Sequence, residues 1–264
     1  MHNSQDTLLY RLISNMKLHA YGDSWTEGQG TVDNRKEWKK HSWVKLLSDK
    51  LKIKSYNNGI SGSSNLKIFN KVISDIRNGK VKNKDLVVIM WSSSLRDSVP
   101  FLPKNEWVSW SVKHLVELPH KFIESYKSDN EKYDNFLSSF KEHFLLNLFN
   151  QNYYNIVNQN YIVFTQKLFE FYGIKYIMCD AFENMILDLK KEDDKTTSID
   201  KKYYWGFGNK TVRDLLNEIN REDIWEHPEN YKTRPTQHPN IEGYKIIANE
   251  LYDFIIDIIQ DIHI

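Results

Sequence analysis

The chain of 264 residues has little of three features that would assign a protein to a class at once: cysteine, an excess of one charge, and long apolar segments. Its single cysteine, Cys179, excludes an intramolecular disulfide and is expected to be a small buried hydrophobic residue at a strand end. Its 36 Lys and Arg residues against 35 Asp and Glu residues leave a net charge of +1. We therefore expect no overall electrostatic attraction to nucleic acid or to an anionic membrane.

No apolar segment reaches the length that a membrane span needs, because Asp253, Asp257 and Asp261 interrupt the most apolar one. Residues 1–15 lack the basic start and apolar centre of a signal peptide, so a cytoplasmic location is the expectation. The histidines do not have the spacing of metal ligands on a helix, and we expect no metal or organic cofactor.

The chain does contain an alternation of short apolar runs with longer helical patterns, which predicts a parallel sheet with helices on both sides. The predicted strands are 16–21, 53–57, 85–91 and 175–179, and the predicted helices are 36–51, 65–79, 154–172 and 240–258. We expect residues 1–15 to be an extension and residues 16–264 to be a single domain. An aromatic-rich insertion at about 99–152 is expected to form a helical cap.

A serine follows the first predicted strand directly, in residues 21–28, which read YGDSWTEG. A turn from strand to helix lifts the hydroxyl of Ser24 above the sheet edge, and N–H groups at the start of the helix can hold a developing oxyanion. A serine nucleophile also needs a base. His238 lies in residues 237–244, QHPNIEGY, immediately before the last predicted helix, and is the candidate base.

These two segments resemble the first and last motifs of the SGNH (GDSL-type) hydrolase superfamily, and the resemblance extends over residues 16–99 and 150–264. Residues 57–64, NNGISGSS, resemble the second motif, with Gly62 at the position whose N–H holds the oxyanion together with that of Ser24. The resemblance implies a three-layer α/β/α sandwich with a flavodoxin-like parallel sheet. It also implies ester hydrolysis through a covalent acyl-enzyme.

The third motif of the superfamily is altered in this chain. Residues 91–97 read WSSSLRD, which places Ser94 where the superfamily has its oxyanion asparagine, with Ser92 and Ser93 as alternative hydroxyl donors. Arg96 is expected to pair with the adjacent Asp97, and the alternative is that it meets an anionic group of a substrate.

The acid of the superfamily's triad is also missing from its usual place, three residues before the histidine, where this chain has Pro235. We favour a Ser24–His238 dyad in which a backbone carbonyl holds the second ring nitrogen. An atypical triad is the other possibility, and its acid would be Asp180, Glu226 or Glu229.

The function expected from these features is a serine esterase that removes a small O-acyl group, such as acetyl, from a carbohydrate. Aromatic side chains of the insertion and of residues 196–235 are expected to form the walls of the substrate site. Two alternatives stay open: a catalytically impaired protein of the same fold that binds a glycan or a protein, and a thioesterase or lysophospholipase. The expected partner is a small-molecule or glycan ester, and the sequence leaves the oligomeric state open.

Overall fold

The computed structural model describes residues 15–101, 106–111, 150–186, 198–226 and 237–261. Six strands lie in these ranges: β1 (Lys17–Tyr21), β2 (Lys54–Asn57), β3 (Leu86–Trp91), β4 (Arg96–Phe101), β5 (Glu106–Ser111) and β6 (Lys175–Asp180). Four of them form a parallel sheet in the order β2-β1-β3-β6, so β1 and β3 are central. The four strands predicted from the sequence are these four, and the parallel arrangement is confirmed.

The helices in the same ranges are α1 (Ser24–Glu27), α2 (Trp38–His41), α3 (Trp43–Leu51), α4 (Asn65–Arg77), α5 (Gln151–Tyr172), α6 (Val212–Ile219) and α7 (Ile241–Asp261). The single helix predicted over 36–51 is wrong, because the chain turns extended at Ser42 between α2 and α3. There the hydroxyl of Ser42 donates to the carbonyl of Lys39 and accepts from Asn57 Nδ2 at 3.0 Å. The break thus connects this helical segment to the end of β2.

Alternation along the strands separates two hydrophobic cores, one on each face of the sheet. Leu18, Ala20, Val88 and Met90 face α3, α6 and α7, whereas Tyr21, Val87, Ile89 and Trp91 face α4 and α5. The result is the expected three-layer α/β/α sandwich. Cys179 is fully buried in the first core, as predicted.

Strands β4 and β5 form an antiparallel hairpin at the start of the insertion, a feature that the sequence analysis did not predict. The expected helical cap falls mainly on residues 112–149, and the expected extension on residues 1–14; both lie outside the described residues. None of the described helices is both long and apolar enough to cross a bilayer.

The segment after β6 returns to the sheet at one point. Tyr204 bridges Met178 in parallel, and the N–H of Trp205 donates to the carbonyl of Met178 at 2.9 Å. Tyr204, Trp205 and Trp225 are at most 6% exposed. The expectation that these aromatic residues form a wall of the substrate site is therefore wrong, because they pack in the two cores.

Candidate active site

Ser24 lies at the tight connection between β1 and α1, at the carboxyl edge of the sheet. The carboxylate of Asp23 accepts the N–H of Trp25 at 3.0 Å and so caps α1. A Cβ at Gly22 would lie 2.1 Å from Thr26 Oγ1 and 2.9 Å from the carbonyl of Met90, so only glycine fits there. The serine is 6% exposed. This connection holds its hydroxyl in one place.

His238 meets this hydroxyl from the loop before α7. Its Nε2 lies 3.0 Å from Ser24 Oγ, although the two residues are 214 positions apart in the sequence. The carbonyl of His238 accepts the N–H of Glu226 at 2.9 Å, and the side chain of Asn240 donates to the carbonyl of Asp223 at 2.7 Å. The loop is therefore tied to the segment that follows α6, and the two side chains are within proton-transfer distance.

Glu226 is the acidic side chain that the structure places at the second ring nitrogen. Its Oε2 lies 3.4 Å from His238 Nδ1, and the Glu226 side chain is 32% exposed. Of the acids considered for an atypical triad, Glu226 is thus the one that the structure brings to the imidazole among the described residues. Glu229 and Pro235 lie outside the described residues.

Asp180, also a candidate acid, is occupied elsewhere, which corrects that expectation. It is the last residue of β6, and it accepts the hydroxyl of Tyr204 at 2.5 Å and the N–H of Met185 at 3.2 Å. Burial raises the pKa of this carboxyl to about 7. Because its oxygens are bound to Tyr204 and Met185, the Asp180 carboxyl stabilises the end of β6 and not the imidazole of His238.

The imidazole of His238 is held in its neutral form at neutral pH. Burial lowers its pKa below the ordinary value of 6.5, and the negative charges of Glu226 and Asp23 oppose that shift only in part. A neutral ring can accept a proton at Nε2, which is the state that a general base needs.

Arg96 forms an ion pair with Asp23, a partner that the sequence analysis did not name. The side chain of Asp97, the predicted partner, lies outside the part of the chain that the structure describes. Arg96 Nη1 lies 2.7 Å from Asp23 Oδ2 and also donates to the hydroxyl of Ser92 at 2.8 Å and the carbonyl of Ser63 at 3.3 Å. The hydroxyl of Ser92 in turn donates to Asp23 Oδ2 at 2.8 Å. This cluster joins the segments that follow β1, β2 and β3. No spacing in the sequence indicated the pair.

Gly62 lies in the turn after β2, where the N–H of Ser63 donates to the carbonyl of Ile60 at 3.1 Å. Its φ of +77° requires glycine, and an added Cβ would meet no atom within 4 Å. Glu27 holds the turn, since its Oε2 accepts the N–H of Ser61 at 2.7 Å. Gly62 thus follows β2 at the same sheet edge at which Ser24 follows β1.

The loop that replaces the third motif is held by two buried asparagines that the sequence analysis did not single out. Asn65 accepts the N–H of Ser92 at 2.7 Å and donates to its carbonyl at 3.0 Å. Asn158 donates to the carbonyl of Ser94 at 3.2 Å and accepts from Asn65 at 2.7 Å. Ser94 is 4% exposed, and Ser92 is occupied by Asp23.

The sequence pattern of the family described as GDSL-like Lipase/Acylhydrolase matches residues 18–251, which include Ser24, Gly62, Glu226 and His238. The chain belongs to this family. It is therefore a hydrolase of ester bonds, as the resemblance implied. No curated protein sequence matches the chain.

Solved structures of low sequence identity align with this GDSL-like hydrolase over most of its length. An esterase from Pseudoalteromonas sp., EstA, has a TM-score of 0.49 and 13% identity over 93% of this chain and 100% of its own. A putative G-D-S-L lipolytic protein from Desulfitobacterium hafniense has a TM-score of 0.48 and 14% identity, over 91% of this chain and 99% of its own. The acetylxylan esterase Axe2 from Geobacillus stearothermophilus has a TM-score of 0.47 and 14% identity, over 91% of this chain and 94% of its own.

Gly30 of this GDSL-like hydrolase is packed against the loop that carries His238. Gly30→Ala is expected to lower the rate of ester hydrolysis by about 10²-fold, because a small misplacement of a reacting group has an effect of that size. A Cβ at Gly30 would lie 2.7 Å from both His238 Cβ and the carbonyl of Pro239. Initial rates on p-nitrophenyl acetate measure the loss. Gly79→Ala is the matched control, because Gly79 also has positive φ but nothing lies near its Cβ. Equal losses in both variants would contradict the role of Gly30 in placing His238.

Proposed function

We propose that this protein is a serine esterase in which Ser24 is the nucleophile, His238 is the base, and Glu226 is the acid that orients the base. One observation carries the proposal: Ser24 Oγ, His238 and Glu226 form a continuous chain with separations of 3.0 Å and 3.4 Å. This is the arrangement by which a serine hydroxyl is activated in unrelated hydrolases.

In the proposed reaction, His238 Nε2 takes the proton of Ser24 Oγ as that oxygen attacks the ester carbonyl. The oxyanion of the tetrahedral intermediate accepts the N–H groups of Ser24 and Gly62, and the hydroxyl of Ser94 is the proposed third donor. His238 then gives its proton to the leaving alcohol. Water, activated by the same imidazole, releases the acid from Ser24. A missing oxyanion donor costs roughly 10² to 10³ in kcat, so a hydroxyl in place of the asparagine amide predicts a slow enzyme.

The proposed substrate is a small O-acyl ester, such as an acetyl group on a carbohydrate. Restricted access to the nucleophile supports this choice, since Ser24 is only 6% exposed and the side chain of His238 is 19% exposed. A long acyl chain needs an apolar surface that begins at the nucleophile, whereas an acetyl group needs little more than the oxyanion donors.

A fluorophosphonate probe and a series of p-nitrophenyl esters from acetate to laurate test the proposed function. We expect the probe to modify Ser24 and the rate to fall as the acyl chain lengthens. A well-folded sample that the probe does not modify would instead support a protein that only binds its ligand. Rates that rise with chain length would indicate a lysophospholipase, and a strong preference for the matching thioesters would indicate a thioesterase.

Glu226→Gln is expected to lower the plateau of kcat/KM by about 10² to 10³-fold, less than the roughly 10⁴-fold loss for a buried triad acid, because Glu226 is partly exposed. The negative charge of Glu226 raises the pKa of His238, so its removal lowers that pKa further. The rate rises with pH as the base loses its proton, and the acidic limb of the profile should therefore move to lower pH. Glu242→Gln, at an exposed position, is the control and should leave the pH profile unchanged. If the acidic limb of Glu226→Gln stayed at the wild-type pH, the contact between Glu226 and His238 would be refuted.

A further inference from the structure

Two arginines lie around the ring of Phe182, beside the candidate nucleophile. The guanidinium carbon of Arg213 is 4.7 Å from the ring centroid of Phe182, and that of Arg96 is 5.9 Å from it. The same ring packs edge-on against Trp25, with 5.0 Å between centroids. Because Trp25 directly follows Ser24 in α1, both cations lie at the edge of the sheet where the ester would bind.

The two arginines differ in how their charge is compensated. Arg96 is neutralised by Asp23 at 2.7 Å. Arg213 has no ion pair within the described part of the chain, and its Nε is buried without a hydrogen-bond partner there. Glu183 and Asp214 favour its charged form from a distance, while burial, the largest effect, lowers its pKa. A half-buried guanidinium with open donors costs free energy unless an anion joins it.

The backbone that carries Arg213 is held firmly. Its N–H donates to the carbonyl of Ala181 at 3.0 Å, just beyond the carboxyl end of β6. Thr211 and Asp214 form a capping box at the start of α6, with the N–H of Thr211 donating to Asp214 Oδ2 at 2.9 Å. A planar guanidinium on a fixed support is suited to hold a carboxylate through two parallel hydrogen bonds.

The sheet order indicates which part of the substrate reaches Arg213. Gly62 follows the edge strand β2 and Arg213 adjoins the other edge strand, β6, so they lie on opposite sides of Ser24. Phe182 shares its hydrophobic core with Trp225, the neighbour of Glu226, and with Trp25. The leaving alcohol takes its proton from His238 in the proposed reaction. The loop of His238 pairs with Trp225 through Pro239, and Trp225 packs on the same Trp25 ring as Phe182, with 6.2 Å between the Trp25 and Trp225 centroids. The alcohol is therefore assigned to the side of Ser24 opposite the N–H of Gly62.

We propose that Arg213 binds a carboxylate carried by the alcohol part of the ester, so that the substrate is an acylated acidic sugar rather than a neutral one. This inference rests on the proposed function, because it assigns the leaving group through His238. Arg213 is a substrate-binding residue in this scheme and has no part in the proton transfers.

Arg213→Gln tests the assignment with two matched esters, an O-acetylated glucuronate and the corresponding O-acetylated glucose. The wild-type protein is expected to have a higher kcat/KM on the acidic ester than on the neutral one. Arg213→Gln should lower the ratio of kcat/KM on the acidic ester to kcat/KM on the neutral ester by roughly 10 to 10²-fold, which is the loss expected for a charged hydrogen bond. Most of this loss should be a rise in KM for the acidic ester. The exposed Arg221→Gln should leave the ratio unchanged. The proposal would be overturned if the wild-type protein showed no preference for the acidic ester, or if Arg213→Gln lowered kcat/KM equally on both esters. It would also be overturned if the preference were for an anionic acyl group, such as succinyl, and not for an anionic alcohol.

Calorimetric titration of free glucuronate separates failure of this proposal from failure of the proposed function. Ser24→Ala should bind glucuronate as the wild-type protein does, and Ser24→Ala/Arg213→Gln should bind it at least tenfold more weakly. That result would support the carboxylate site even if Ser24 proved unreactive toward the probe. Equal binding by the two variants, or tighter binding of inorganic phosphate than of glucuronate, would overturn the site while leaving the esterase proposal standing.

Discussion

Ser24→Ala is expected to lower kcat for p-nitrophenyl acetate by about 10⁴ to 10⁶-fold and to abolish modification by a fluorophosphonate, since removal of a serine nucleophile has effects of that size. The substitution takes away the hydroxyl oxygen that lies 3.0 Å from His238 Nε2. Alanine fits the start of α1 without a clash, so the variant should fold. Rates and probe labelling of purified, folded variants measure the effect.

Two further variants sharpen this result. Ser74→Ala removes a serine from the exposed face of α4 and should match the wild-type protein in both assays. Ser24→Ala/His238→Ala should be no slower than Ser24→Ala alone, because a base without its nucleophile contributes nothing. If Ser24→Ala retained a tenth of the wild-type rate, another group would have to be the nucleophile.

Asp23→Asn is expected to reduce the free energy of unfolding by about 3 kcal/mol or more, since removal of one partner from a buried ion pair leaves the other charge uncompensated. Asp23 is fully buried, and the side chain of Arg96 is 19% exposed. The amide would keep the volume of the carboxylate but lose the charge that Arg96 meets. Urea denaturation followed by circular dichroism gives the change.

Arg96→Met is the partner variant that identifies the cause. The double variant Asp23→Asn/Arg96→Met should be more stable than Asp23→Asn alone, because it buries neither charge without a partner. The exposed Asp257→Asn on α7 should change the free energy of unfolding by less than about 0.5 kcal/mol. Additive losses in the double variant would show that the two side chains act independently and would refute the ion pair as the source of the effect.

Much of the fold was predictable because it depends on local patterns. The apolar run of β3 predicted a strand buried on both faces, and β1, β2 and β6 began and ended within one residue of their predicted limits. The break at Ser42 and the hairpin of β4 and β5 were not predictable. The break depends on Asn57, which lies 15 positions from Ser42 in sequence, and each strand of the hairpin needs the other as its partner.

The candidate site divides in the same way. Ser24, Gly62 and His238 were identified from short motifs, since a tight turn and a glycine with positive φ need particular residues at fixed spacing. Glu226 was only one of three candidate acids. Arg213 had no signal at all, because a charged residue at the start of a helix is ordinary on a protein surface.

The sequence by itself therefore determined the parallel sheet and the turns at its carboxyl edge, which follow from residue periodicity and local backbone requirements. Its short motifs also resemble those of the family to which the chain belongs. Tertiary structure alone decided which carboxylate meets His238, that Arg96 pairs with Asp23, and that Arg213 lies over the ring of Phe182 without an ion pair in the described part of the chain. These are contacts between segments far apart in sequence. Their energies depend on distance and burial, which the order of residues does not express.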